Sequence, residues 1–222
     1  MIKEYSFVDE IEAEIKNVVF DYNGVLAGIN KTRVLSKVNL KDICNAIGFG
    51  FSYLTKSGFR SDVKYAYHGL TNGSVSSKDI YDMFESYFPH KSGTVKKVFD
   101  NFVNSMYTRE GMIRLVDYLR ENQFRVFVLS NTIPETAKIL NSEDVKKHFD
   151  GIYCTSEHGI QKPDIDTFLD ACKIWNIKPE ESLFVDDKKV NTKAAEAAGF
   201  GDTLNSSSER KIKNYINQVY LD

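Results

Sequence analysis

The sequence predicts an α/β protein: a parallel sheet covered on both faces by helices, with an all-helical block inserted after the first strand. Two observations predict it. From about residue 110 onward, short apolar runs alternate with amphipathic stretches of helical length, the pattern of strands joined by crossover helices. Between the first apolar run and that point, residues 28–108 carry helical patterning broken by glycines, with no convincing pair of strands. A chain of 222 residues has room for one such core and a smaller insertion. The expected division is a core of residues 1–27 and 109–222, and a helical cap of residues 28–108 over the active-site edge.

Residues 1–16 form an acidic lead, read as a short helix of no evident function. The first strand is Val18-Val19-Phe20, closed by Asp21 and followed by the glycine turn Tyr22-Asn23-Gly24. Within the block, Ser76-Ser77-Lys78-Asp79 leads into Ile80, Met83, Phe84 and Tyr87, a capped helix with one apolar face. Val95, Val98, Phe99, Phe102 and Met106 make a similar stripe, and both stripes read as core. Met112 to Asn122 is amphipathic, with Ile113, Val116 and Leu119 on one side. Arg125 to Leu129 is a short strand, Pro134 to Leu140 a helix, and Ile152 to Thr155 a strand. Pro163 opens a helical segment carrying Ile165, Phe168, Cys172 and Trp175. Leu183-Phe184-Val185 is a strand, and the alanine-rich helix Asn191 to Ala198 closes at Gly199. Ile212, Tyr215, Ile216 and Val219 mark a last amphipathic helix.

Composition excludes several function classes. A net charge of −2 supplies no basic field for nucleic acid. No apolar stretch reaches the length of a membrane span, and the first residues lack a signal-peptide pattern. Cys44, Cys154 and Cys172 are odd in number and far apart, which argues against disulfides or zinc and fits a reducing cytoplasm. Cys154 and Cys172 lie in apolar patterns and read as buried hydrophobes. No heptad run or interface stripe assigns an oligomeric state.

Four polar sites follow four apolar runs. Asp21 follows Val-Val-Phe; Ser130 and Asn131 follow Phe-Val-Leu; Lys162 comes just after the Ile152–Thr155 strand; Asp186 and Asp187 follow Leu-Phe-Val. In an open parallel sheet the strand C-termini share one edge, so these groups converge. Carboxylates that close together do not all ionise without a cation. Hard oxygen ligands, few and partly open, suit Mg²⁺ sharing its shell with a phosphate. Lys162 and Ser130 are then placed to hold phosphate oxygens, and Asp21 to attack phosphorus. Beside these, His158 and the Lys188-Lys189 pair read as solvated loop groups; Arg60, Lys64 and His68 of the helical block read as surface groups first, with contact to an anionic substrate as the alternative.

At these positions the chain resembles the haloacid dehalogenase superfamily of hydrolases. Asp21 to Leu26 resembles its first motif, Ser130-Asn131 the second, Lys162-Pro163 the third, and Asp186-Asp187 with Asn191 the fourth. The stretch Gly69 to Phe84 is similar to the cap helices of the small helical-cap subclass, which includes glucose-1-phosphate phosphatases and the phosphatase domain of soluble epoxide hydrolase. The resemblance implies a Rossmann-like core, a helical cap, Mg²⁺ and an aspartyl-phosphate intermediate formed from a small phosphorylated metabolite. It implies Asp21 as nucleophile and metal ligand, and the Asn23 backbone carbonyl as a second ligand. Asp187 would be the third ligand, with Asp186 acting through water. Ser130, Asn131 and Lys162 would bind the phosphoryl group.

One position departs from the family pattern. The phosphatases usually carry aspartate where this chain has Asn23. An amide forms hydrogen bonds but does not shuttle protons at neutral pH. The expectation is a slowed phosphatase, with Asn23-Gly24 also open to deamidation. Two alternatives stand beside it: a 2-haloacid dehalogenase-type hydrolase, and a catalytically impaired binding protein of the same fold.

Overall fold

The computed structural model describes residues 14–30, 32–33 and 39–221. Most of the acidic lead therefore lies outside the described residues. Five strands form one parallel sheet: β1 (Asn17–Phe20), β4 (Arg125–Ser130), β5 (Gly151–Cys154), β6 (Ser182–Asp186) and β7 (Asp202–Asn205). Their spatial order is β5-β4-β1-β6-β7. The chain steps outward from β1 through β4 to β5, then crosses back to β6 and β7. The order reverses between β1 and β6, and ligands of open α/β sheets bind at such a switch point.

The central strands form because their residues suit burial on both faces. β1, β4 and β6 are β-branched and aromatic runs, and the register sets Phe20 beside Val128 on one side and Val185 on the other. Alternation then divides the core in two. Val18, Phe20, Val126 and Val128 face Met112, Leu115 and Leu119 of α5 (Glu110–Glu121) and Ile212 and Ile216 of α10 (Glu209–Ile216). Val19, Phe127 and Leu129 face Phe168 and Trp175 of α8 (Ile165–Trp175) and Ala195 of α9 (Lys189–Ala197). Two short helices, α6 (Pro134–Leu140) and α7 (Glu143–Lys146), link β4 to β5. Cys154 and Cys172 are free and buried, and burial pushes both thiols up to about 12.

Within residues 30–105, the described residues include four helices: α1 (Leu40–Thr55), α2 (Ser57–Asn72), α3 (Ser77–Tyr87) and α4 (Ser92–Val103). Ser76 caps α3 through the expected capping box with Asp79. The stripe on α3 packs into an aromatic cluster, Phe84 lying 5.3 Å from both Phe49 and Phe59, yet no α3 side chain is fully buried. So small a helical layer has little depth to bury them.

The expectation of no strand pair in residues 28–108 is wrong. β2 (Ala27–Ile29) and β3 (Met106–Thr108) form an antiparallel ribbon where the chain leaves and re-enters the sheet domain. Met106 belongs to this ribbon, since α4 ends at Val103. Three-residue strands leave too little periodicity to read, and Met106 mimics a helical step from Phe102. The ribbon is tied to the first turn by Arg109 N–H donating to the Leu26 carbonyl at 2.9 Å, and by Tyr22 Oη to Thr108 Oγ1 at 2.9 Å.

The end of α2 sits directly on the core. Thr155 Oγ1 donates to the Thr71 carbonyl at 2.6 Å, Thr71 Oγ1 bonds Gln161, and Ser77 bonds Glu135. Gly73 is required here: its φ is +79°, and a Cβ would lie 2.1 Å from the Ser156 carbonyl oxygen. Among the described residues, no helix is long and apolar enough to cross a membrane.

Candidate active site

β1 and β6 are neighbours, so Asp21 and Asp186 arrive side by side at the C-terminal edge. Asp21 continues the β1 ladder through its N–H, which donates to the Val185 carbonyl at 2.8 Å. Lys162 enters from the loop after β5, through a cis Lys162–Pro163 bond. Its Nζ lies 2.7 Å from Asp21 Oδ1, 2.9 Å from Asp186 Oδ2 and 2.8 Å from the Leu129 carbonyl. All three side chains are buried.

The loop that carries Lys162 is clamped by Asn131. Asn131 Nδ2 donates to the Lys162 carbonyl at 2.8 Å, and Lys162 N–H donates to Asn131 Oδ1 at 2.9 Å. The Asn131 side chain is thus committed to Lys162, a role invisible in the sequence. Ser130 ends β4 fully buried, and its Oγ has no hydrogen-bond partner. An unpartnered buried hydroxyl is costly, and at a strand tip it signals a missing acceptor.

Asp186 is fully engaged. Besides Lys162, its Oδ2 accepts from Asn191 Nδ2 at 2.8 Å, and its Oδ1 accepts from Lys188 N–H at 2.8 Å. Asp187 is exposed, and Asp21, Asp186 and Asp187 each offer an oxygen within 4.8 Å of the others. Gly24 makes room for Asp187: a Cβ there would lie 2.6 Å from Asp187 Oδ2, and its φ of +100° disfavours any other residue. Asn23 donates through Nδ2 to the Asn131 carbonyl at 3.1 Å, while its buried Oδ1 stays unpartnered. His158 stacks on Tyr153 instead of joining the site.

One ammonium among three carboxylates leaves net negative charge. Burial pushes the Asp21 carboxyl up, Lys162 pulls it back, and Asp186 and Asp187 push it up again, to about 6. For Lys162, burial opposes the ammonium, but Asp21 and Asp186 outweigh it and hold it above its usual range. Burial and Asp186 also raise Asp187. The donor set therefore fits a hard divalent cation: clustered oxygens, excess negative charge, and one carboxylate left open.

Asp21 titrates near 6 when folded and near 3.8 otherwise. The folded chain holds that proton more tightly, so the stability it contributes at low pH is lost as pH rises toward 6 and beyond. In chelator, Asp21→Asn is accordingly expected to melt at a higher temperature than the parent above pH 6. The difference shrinks toward pH 4, and thermal denaturation at the two pH values checks it.

The haloacid dehalogenase-like hydrolase family model matches residues 15–199, the span that contains every group described above. The chain is a haloacid dehalogenase-like hydrolase. This hydrolase is 24% identical over 185 residues to a sesquiterpene phosphatase of Aspergillus oryzae, covering 83% of this chain and 86% of that one. It is 26% identical over 204 residues to a D-ribitol-5-phosphate phosphatase of Bacteroides thetaiotaomicron, covering 84% and 89%. In fold it is similar to a HAD family enzyme of Bacteroides thetaiotaomicron crystallised with magnesium and inorganic phosphate. The TM-score is 0.65 at 22% identity, covering 86% of this chain and 93% of that one.

Two cavities adjoin the site. One, of about 330 Å³, lies among Asn23, Gly24, the ribbon, α2, α4 and the start of α6. The other, of about 350 Å³, includes His68, Gln161, Lys162 and Asp164. Tyr67, Thr71 and Asn131 line both. His68 reaches a cavity wall, which fits the less favoured of its two sequence readings, contact with an anionic substrate; Gln161 and Thr71 carry no motif signal at all.

Proposed function

We propose that this hydrolase cleaves a small phosphate monoester through an aspartyl-phosphate on Asp21. The observation that carries the reading is the buried Asp21–Lys162–Asp186 chain, with Ser130 Oγ unpartnered at the next strand tip. The relatives named as phosphatases support it. Their names specify a sesquiterpene and a phosphorylated sugar alcohol, which leaves the organic group open.

In this reading Asp21 attacks phosphorus: a carboxylate oxygen–phosphorus bond forms and the ester oxygen departs. Lys162 offsets charge on Asp21 and on the phosphoryl oxygens, and Ser130 Oγ donates to one of them. Asn131 positions Lys162 and offers its backbone to the phosphoryl group. Water then attacks phosphorus and regenerates Asp21. Asp21, the Asn23 carbonyl and Asp187 would hold Mg²⁺, with Asp186 acting through water. The ion would supply positive charge that offsets the phosphate dianion as the carboxylate attacks. The neighbour crystallised with magnesium and phosphate supports that assignment. The helices α1–α4 act as a cap that covers the site, seated through Thr71 and Gly73. The free buried thiols fit a reducing compartment, and we assign the reaction to the cytoplasm.

Asn23 is the weak point of both half-reactions, because its amide neither protonates the departing ester oxygen in the first nor activates water in the second. Phosphate release from a panel of small esters, with Mg²⁺ and with chelator, tests the reading. Release that depends on Mg²⁺ is expected; no release from the parent or from Asn23→Asp rejects it. Gly24→Ala pushes a methyl into Asp187 and is expected to weaken apparent Mg²⁺ affinity by roughly 10–100-fold, read from the Mg²⁺ dependence of the rate.

A further inference from the structure

We propose that the organic group of the substrate is apolar: the site takes the monophosphate of a hydrocarbon alcohol, not that of a sugar or polyol. The inference rests on the phosphatase reading for its phosphate end. Its own support is the cavity that adjoins Asn23 and Gly24, two and three residues after the nucleophile.

Hydrocarbon dominates the walls of that cavity. Ala27 and Ile29 come from β2, Met106 from β3, Phe102 from α4 and Ile133 from the turn after β4, with the ring of Tyr67 from α2. Among the described residues it is lined by no lysine, arginine, histidine, aspartate or glutamate. A second phosphate or a carboxylate on the substrate would find no cation among these lining residues.

Most of the polar groups present are already committed. Thr71 Oγ1 bonds Gln161 and the Tyr67 and His68 carbonyls. Thr136 Oγ1 donates to the Ile133 carbonyl at 3.0 Å. Asn131 spends its side chain on Lys162 and its carbonyl on Asn23. A polyol entering this space would surrender water at several hydroxyls and recover few hydrogen bonds, which is unfavourable. A hydrocarbon leaves water with nothing to replace. The volume, about 330 Å³, lies at the small end of ligand sites, so the hydrocarbon is short or compact. The neighbouring cavity has the opposite character, with His68, Gln161, Lys162 and Asp164, and it sits on the Lys162 side where phosphate charge belongs.

Calorimetry with n-alkylphosphonates of increasing length, in Mg²⁺, tests the proposal without needing turnover. Affinity is expected to rise about threefold to fourfold per methylene until the cavity is full. Ribitol 5-phosphate should bind about tenfold or more weakly than an alkylphosphonate of equal heavy-atom count. Phe102→Gln, at a position 39% exposed and so tolerant of change, should flatten the length dependence. A flat series, tighter binding of the polyol phosphate, or a slope untouched by Phe102→Gln overturns the proposal. The two readings separate cleanly. A steep series with no ester hydrolysed by Asn23→Asp retains the apolar site and rejects the phosphatase. Ester hydrolysis with a flat series does the reverse.

Discussion

Replacing Asn23 by aspartate is expected to raise steady-state phosphate release by roughly 10²–10⁴-fold, the usual worth of a positioned acid–base group. The local geometry favours the gain. Asn23 Nδ2 now donates to the Asn131 carbonyl at 3.1 Å. A carboxylate oxygen in that place would face another acceptor, so the carboxyl keeps a proton there and its pKa rises. A protonated carboxyl beside the nucleophile is what the departing ester oxygen needs. The same group, once deprotonated, activates the water that attacks the aspartyl-phosphate. The gain should be larger for an alkyl phosphate than for p-nitrophenyl phosphate, whose leaving group needs little protonation. Steady-state rates on the two esters check this. Equal rates for parent and variant on both would show that residue 23 does not limit turnover.

Lys162→Met is expected to abolish activity and to destabilise the fold by roughly 3–5 kcal/mol, the cost of stranding buried charge. Lys162 is the only cation within salt-bridge distance of Asp21 or Asp186 among the described residues. Without it, both carboxylates are buried unpaired, and the folded pKa of Asp21 climbs further above its unfolded value. The folded variant then binds protons more tightly than the unfolded chain, so its stability falls as pH rises through the carboxylate range. Chemical denaturation at pH 5 and pH 8 should show the variant losing most at pH 8. Added Mg²⁺ should recover part of the loss by supplying positive charge to the same carboxylates. A variant as stable as the parent at pH 8 would mean that Lys162 is not the counter-ion of this cluster.

Much of this is legible in the sequence itself. β1, β4 and β6 are buried on both faces, so each is a plain apolar run, and the polar residue ending each run sits on the functional edge. β7 escaped notice because Asp202-Thr203-Leu204-Asn205 lies at the sheet margin, half-buried and polar. The β2–β3 ribbon escaped because three-residue strands have no readable period. The site was legible as a set of residues but not as a wiring diagram. Asp186 and Asp187 are adjacent in sequence, yet one is buried under three hydrogen bonds and the other is open to solvent. That distinction depends on Lys162 and Asn191 arriving from elsewhere. The clamp of Asn131 on Lys162 joins residues 31 positions apart, which no local pattern encodes.

The central claim is that Asp21 becomes covalently phosphorylated, and the absence of a base at residue 23 makes the adduct observable. Incubation with acetyl phosphate or p-nitrophenyl phosphate in Mg²⁺, an acid quench, and mass spectrometry of the peptides test it directly. One phosphoryl group on the peptide containing Asp21, absent from Asp21→Asn, is the predicted result. Phosphate release with no adduct, or an adduct on another residue, would contradict it.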